Sequence, residues 1–334
     1  TATRQTGIDD ELRGWFSEER YHMARRVLRD GHTPLLLLYL RCGAPTGLRG
    51  ELWARALGVE FDQRGLLHYL ALAAEVQRVA QATDSVVKRD VFSPWNEEEY
   101  FLFREMVESI VGCFLRDPEV PRNAAAQGVQ VTATSTKTGR KYAFPPSGVL
   151  PMRGLASYIF PMCFCYDKPA ELYLAFRGLW CRHWCRLHDL SARPGTLLPL
   201  LRLFEALLQE LNPQLCLHLT KLNLHPTRLV LRWIQFAFAS YLPVSQLLLL
   251  WDRVVGFNTL EVLPLLAVAI LLFRSRAILR AQSADEVLLV FSDGSQLRVV
   301  PLLQAVLYSP SSLVQSETSS ADGKPKRENS KRSL

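Results

Sequence analysis

Apolar residues recur at intervals of three and four along most of the chain, and proline and glycine cut that pattern into helix-length pieces. Tyr21, Ala24, Val27 and Leu28 share one helical face. Thr33-Pro34 reads as an N-cap followed by proline at the first helical position, and Gly43 stands where that helix has to stop. Asn96 and Glu99 have capping-box spacing and open a helix through Phe103, Met106, Ile110 and Phe114. Pro169, Pro213, Pro226 and Pro243 each stand near the start of an apolar run, where the missing N–H costs nothing. The pattern predicts about a dozen helices and hardly a strand. Its longest apolar run, Val262 to Phe273, is short of the roughly 20 residues needed to cross a bilayer, so it reads as a buried helix.

Two regions break the pattern. Asp117 to Gly148 is polar and irregular, and the alternation of Val129, Val131 and Ala133 predicts a short hairpin there. A connection of this length inside a compact domain is functional or disordered. From Ser309 onward the chain is rich in Ser, Lys, Asp and Glu and reads as a disordered basic tail. No fixed-period repeat is present, which argues against a solenoid.

With 334 residues, 49% of them hydrophobic, the chain can bury a sizeable core. Thr1 rather than Met at the start leads to the expectation of a longer natural chain. The formal charge is +7, of which residues 311–334 carry +2. A mild bias spread over the remainder suits an acidic partner or a membrane surface. It is not the concentrated basic stripe of a nucleic-acid binder, so no nucleic-acid partner is expected. Seven cysteines in apolar settings, an odd number without a small disulfide framework, indicate a reducing compartment.

One stretch carries more information than the rest. From Leu215 to Gly256, Leu215-x-x-His218-Leu219, Pro226, Trp233, Leu242-Pro243 and Trp251-Asp252 follow in order. Upstream, Gly43-Ala44-Pro45, Leu48-Arg49 and Trp53 form a second set, with Arg49 and Trp53 one helical turn apart. Together these resemble the TBC domain, the module that acts on Rab-type small GTPases. The resemblance covers roughly residues 41 to 308, with 1–40 left as an N-terminal helical extension and 309–334 as the tail. It implies an all-α fold of two helical subregions with a groove between them. It also implies a structural role for Arg49, Trp53, Trp251 and Asp252.

The resemblance supplies a register for the chemistry. Active members insert an arginine from an I-x-x-D-x-x-R motif and a glutamine from Y-x-Q-G-M into the GTPase site. The arginine neutralises charge on the transferred phosphoryl group, and the glutamine orients the attacking water. The first motif maps onto Val87-Lys88-Arg89-Asp90-Val91-Phe92-Ser93, which places Ser93 at the arginine position. The second maps onto Pro151-Met152-Arg153-Gly154-Leu155, with Pro161 fixing the register, which places Arg153 at the glutamine position. An arginine finger lowers the barrier by about 4–7 kcal/mol, and a serine hydroxyl carries no charge to do so. Arginine has five donors and no acceptor, so Arg153 cannot hold water as glutamine does. Pro151 removes a backbone donor beside it.

The resemblance implies a groove that receives a GTP-loaded Rab, with Asp90, Arg89 and Gly154 in it and stimulation of hydrolysis weak or lost. Two alternatives stand beside that. One is an active GTPase-activating protein using Arg153 as a displaced finger, with Arg89 as a further candidate on the other side of Asp90. The other is a helical scaffold that binds no Rab. The chain itself should need no cofactor, since GTP and magnesium come with the partner. The expected setting is cytoplasmic, peripheral on vesicle membranes through the partner.

The cysteines and histidines form a further constellation. Cys181, Cys185 and His188 have i, i+4, i+7 spacing and, with Cys163-x-Cys165 and His183, suggest a zinc set. Trp180, Trp184 and Leu187 are interleaved with them, so core packing is the better reading and no metal is expected. There is no G-x-S-x-G and no Gly-rich phosphate loop, which removes the common hydrolase and nucleotide-binding classes.

Overall fold

The computed structural model describes residues 14–93, 100–125, 132–134, 139, 141–292, 294 and 296–308. Among these are sixteen α-helices, several short 3₁₀ turns and one two-stranded hairpin. The first group of helices is α1 (Gly14–Asp30), α2 (Thr33–Arg41), α3 (Arg49–Leu57), α4 (Gln63–Arg78), α5 (Asp84–Val91), α6 (Arg104–Arg116), α7 (Val120–Asn123) and α8 (Pro169–Arg182). The second is α9 (Leu197–Leu211), α10 (Pro213–Lys221), α11 (Pro226–Gln235), α12 (Val244–Phe257), α13 (Val262–Phe273), α14 (Ser275–Arg280), α15 (Ala284–Val290) and α16 (Val299–Tyr308).

Proline starts α8, α10 and α11 and immediately precedes α12, as its fixed φ and missing donor favour. At α2 the cap is His32 rather than Thr33, and no side chain bonds the first turn. Pro34 within that turn already removes one of the donors a cap would satisfy. Gly43 does stop this helix, turning the chain at φ +100°. The expected Asn96–Glu99 cap lies outside the described residues, but α6 follows where it should and buries Ile110 and Phe114. The irregular stretch contains α7 and the hairpin of β1 (Thr132–Thr134) and β2 (Lys141–Ala143), with Ala133 opposite Tyr142. Val129 and Val131 fall outside the described residues.

Helix α8 packs on α3, α4 and α6, while α13 packs on α9, α11 and α16. Ten residues of α13, from Val262 to Leu272, are buried. A helix apolar on every side is stable only when surrounded. The two groups are joined chiefly where α2 lies against α12. Gly256 permits that approach, because a Cβ there would sit 2.6 Å from the Arg41 backbone nitrogen. Leu36, Tyr39 and Leu40, which the resemblance leaves in an N-terminal extension, are part of the common core.

Candidate functional site

Two buried aspartates organise the region around the sequence-derived residues. Asp252, on α12, is wholly buried. Its Oδ1 accepts from Arg49 Nε at 3.0 Å and Trp53 Nε1 at 2.8 Å, and its Oδ2 accepts from the Ala44 amide at 2.8 Å and Arg49 Nη2 at 3.2 Å. Burial works against the Arg49 charge, and Asp252 more than restores it, leaving the guanidinium pKa above its ordinary value. The neighbouring Trp251 donates its Nε1–H to the Ala237 carbonyl at 2.9 Å. That bond holds a turn in which Ala237 and Phe238 adopt φ of 47° and 64°. Such left-handed conformations cost non-glycine residues roughly 1–2 kcal/mol each, so the turn needs this support.

Asp90 is the second. It lies on α5 and is 8% exposed. Its Oδ1 accepts from the Gly154 amide at 2.5 Å and its Oδ2 from the Ala156 amide at 2.9 Å. The segment after Leu150 is thereby tied to the helix that ends beside Ser93. Burial pushes the Asp90 carboxyl above the usual carboxylate range, against the pull of the Ala156 and Gly154 amides and the Arg153 charge.

Gly154 is required where it stands. Its φ is +100°, and a Cβ would meet the Phe236 ring at 2.7 Å. Ser157 Oγ donates to the Gly154 carbonyl at 2.6 Å, closing the turn. Arg153, one residue earlier, is exposed. Ser93 is partly buried, and its amide donates to the Asp90 carbonyl at 3.3 Å. Arg89 is exposed on the outer face of α5 with Lys88.

The structure thus brings Ser93, Asp90, Arg153 and Gly154 together, and places Arg49, Trp53, Trp251 and Asp252 in a separate brace. Asp90 has both oxygens engaged by the loop, so its part is to hold Arg153's segment. Phe236 and Arg232 also belong to this face: Arg232 Cζ lies 5.7 Å from the Phe236 ring centroid. Phe236 reads in the sequence as one more core aromatic. Only its packing under Gly154, 82 positions away, reveals its second role.

The pattern of helices, the brace and the clamped loop can be compared with known proteins. The family description "Rab-GTPase-TBC domain" matches residues 153–279. The chain is 36% identical over 314 residues to the human protein "TBC1 domain family member 19", covering 91% of this chain. The chain carries a TBC domain. It spans 60% of that relative's length. Two solved structures share the TBC fold. One is the Chlamydomonas flagellar RabGAP TBC domain, at a TM-score of 0.63 and 14% identity, covering 87% of this chain and 91% of the other. The other is the Ypt/Rab-GAP domain of Gyp1p, at a TM-score of 0.63 and 11% identity, covering 88% and 98%. At those identities the likeness is one of fold.

Elsewhere in the TBC domain, the zinc spacing is not realised on one helix. Helix α8 ends at Arg182, and Trp184–His188 forms a 3₁₀ turn, so positions three and four apart no longer stack as they would in an α-helix. Cys181 Sγ donates to the Val120 carbonyl and Cys185 Sγ to the Cys181 carbonyl. Burial pushes the Cys163, Cys165 and Cys181 thiols up to about 12. His188 Nε2 instead lies 3.1 Å from the Tyr158 hydroxyl.

A cavity of about 570 Å³ lies away from the clamped loop, between α3, α4 and α8. His68 and Glu119 line it and converge with the buried Asp117. Arg177 Nη1 already bonds Asp117 at 3.1 Å and Glu119 at 3.3 Å, and Tyr173 donates to Asp117 at 2.5 Å. A guanidinium between the two carboxylates leaves a metal cation to compete with a resident charge.

Proposed function

We propose that this TBC domain binds a GTP-loaded Rab-family GTPase across the face carrying Ser93 and Arg153, and stimulates hydrolysis weakly or not at all. One observation carries the reading. Asp90 holds the Arg153 segment to the end of α5 through the amides of Gly154 and Ala156. On this reading the two finger positions, Ser93 and Arg153, belong to one face and present a hydroxyl and a guanidinium. On this reading recognition is kept, while the usual donor of charge and the usual orienter of water are replaced.

In this reading the nucleotide and its magnesium belong to the partner, and the domain supplies no cofactor. Among the described residues no helix is long and apolar enough to cross a membrane. The proposed setting is cytoplasmic, with any peripheral association with vesicles made through the partner. A second reading is favoured by the exposure of Arg153 at the turn. It would act as a displaced arginine finger while the GTPase's own glutamine places the water.

Single-turnover GTP hydrolysis and pull-down across a panel of Rab proteins separate these readings. Capture of a GTP-loaded Rab without stimulation supports the first. Stimulation lost in Arg153→Ala and kept in Ser93→Ala supports the second. Ser93→Arg combined with Arg153→Gln should raise hydrolysis on the first reading. Capture of no Rab at all would leave a helical scaffold.

A further inference from the structure

Helix α4 is apolar on two faces, and only the inner one is covered among the described residues. That face buries Tyr69 and Leu72, and the helix packs on α6 and α8. Gly65 allows a close approach to α8, since a Cβ there would meet Leu174 Cδ1 at 2.8 Å. The Asp62 carboxylate accepts from the Gly65 amide at 2.7 Å and fixes the helix start. The outer face presents Leu66, Leu67 and Leu70 at 44%, 59% and 50% exposure, with Ala71 and Ala74 exposed beside them. A surface helix ordinarily turns charge outward. Between Leu66 and Gln77 the only Asp, Glu, Lys or Arg is Glu75, which lies about a quarter-turn from the centre of this face.

The order of side chains on that face says what fits it. Gln63, Leu67, Leu70, Ala74 and Gln77 are all exposed and recur at intervals of four, three, four and three, the seam of a two-helix coiled coil. Large side chains fill the first half of the seam and small ones the second. Two copies of α4 set antiparallel, about a two-fold axis between Leu67 and Leu70, complement that order. Leu67 of each copy meets Leu70 of the other, Leu66 lies over Ala73 of the second copy, and Gln63 lies over its Ala74. A parallel pair would set alanine on alanine at one end, in a gap held open by leucine on leucine at the other. Antiparallel pairing also opposes the helix dipoles and brings Arg78 of one copy toward Glu60 of the other, while the Arg64 stem lies along Ala71. A lipid surface suits an apolar face bordered by many Lys and Arg, whereas this seam ends in glutamines.

We propose that the outer face of α4 is a self-association surface, on which a second copy of the chain pairs antiparallel with Leu67 of each against Leu70 of the other. Sixteen residues give a strip about 24 Å long, less than a standard interface of roughly 800 Å² per partner needs. The dimer is therefore weak and concentration-dependent, with a micromolar dissociation constant. It forms without reordering α4, which is already held from its inner side. The proposal does not depend on the Rab-binding reading.

The test is sedimentation equilibrium of the whole chain from about 1 µM to about 100 µM. The average mass should rise from 37.9 kDa toward twice that value. Leu67→Glu with Leu70→Glu should weaken association at least about tenfold, with the circular dichroism spectrum unchanged because both side chains are exposed. Leu67→Lys alone and Leu70→Glu alone should each stay monomeric, and their mixture should form a dimer, because position 67 faces position 70 of the other copy. A wild-type chain that stays monomeric throughout, or a dimer that persists in the double glutamate variant, would overturn the proposal. A mixture that stays monomeric would overturn the antiparallel pairing. Two results would give the face to another occupant and also overturn it: a monomeric wild type that pellets with anionic vesicles through these leucines, or one in which α4 gains hydrogen-exchange protection only when a GTP-loaded Rab is added.

Discussion

Asp252 and Asp90 solve the same problem with different partners. Both are buried carboxylates that join segments far apart in the chain. Asp252 is satisfied mainly by side chains, the Arg49 guanidinium and the Trp53 indole, with one amide from Ala44. Asp90 is satisfied by the backbone amides of Gly154 and Ala156. A brace made with side chains fixes which residues must stand at both ends. A clamp made with backbone amides fixes the path of a loop and leaves its side chains open to change. This difference leaves the side chains at Pro151 and Arg153 free to vary while the loop stays bonded to α5.

The largest test of that contrast is Asp252→Ala. It would leave the Arg49 charge buried without its counter-ion, and stability should fall by about 3–5 kcal/mol, read by chemical denaturation. A loss under about 1 kcal/mol would mean the brace is not what joins the two helical groups. Next is Asp90→Ala, which frees two amides and should cost ~1–3 kcal/mol. Hydrogen exchange should quicken at Gly154 and Ala156 well before the rest of the domain opens. Unchanged exchange at those two amides would remove the clamp from the account.

Acid gives a third measurement. Burial pushes His183 down to about 3, with the nearby Arg182 and Arg186 acting in the same direction. The unfolded chain takes up that proton below its ordinary value of 6.5 and the folded chain does not, so stability should fall as pH drops from about 6.5 toward 3. Between pH 7 and 5 this amounts to ~2 kcal/mol. The raised Asp90 pKa has the opposite sign: protonation favours the folded form as pH falls through that value. His183→Gln should therefore flatten the profile between pH 7 and 5. A slope left intact would assign the acid weakness to other groups. The smallest expected effect sharpens the contrast most. Arg153→Gln should change stability by no more than about 0.5 kcal/mol, with Gly154 and Ala156 still protected, because the hydrogen bonds of the clamp come from backbone amides.

What could be read before the fold follows the same division. Arg49, Trp53 and Trp251-Asp252 are distinctive side chains at fixed spacings, and a brace built from them leaves its mark in sequence. The buried helix Val262–Phe273 was equally plain, since twelve apolar residues leave no polar face. The Asp90 clamp left half a mark: the aspartate stands in a recognisable motif, but its donors are amides that every residue except proline owns. Phe236 under Gly154 left none, because close approach of a ring to a bare Cα has no residue pattern of its own. The cysteine–histidine spacing does not carry over into the backbone, for a related reason. It presumed that one helix ran through His188, whereas the backbone turns at His183, with φ −124° and ψ −60°.

The Asp252 brace also decides what counts as a unit of this protein. The family match runs from 153 to 279, and Asp252 lies inside it while all of its donors, at 44, 49 and 53, lie outside. A fragment cut to the matched span would bury a carboxylate with nothing to bond it, and would lose α2 from the flank of α12. A fragment that keeps both the brace and the packing of α2 on α12 has to include α2 from Thr33. The recognisable stretch of this domain and the stretch that can stand alone are different lengths of chain.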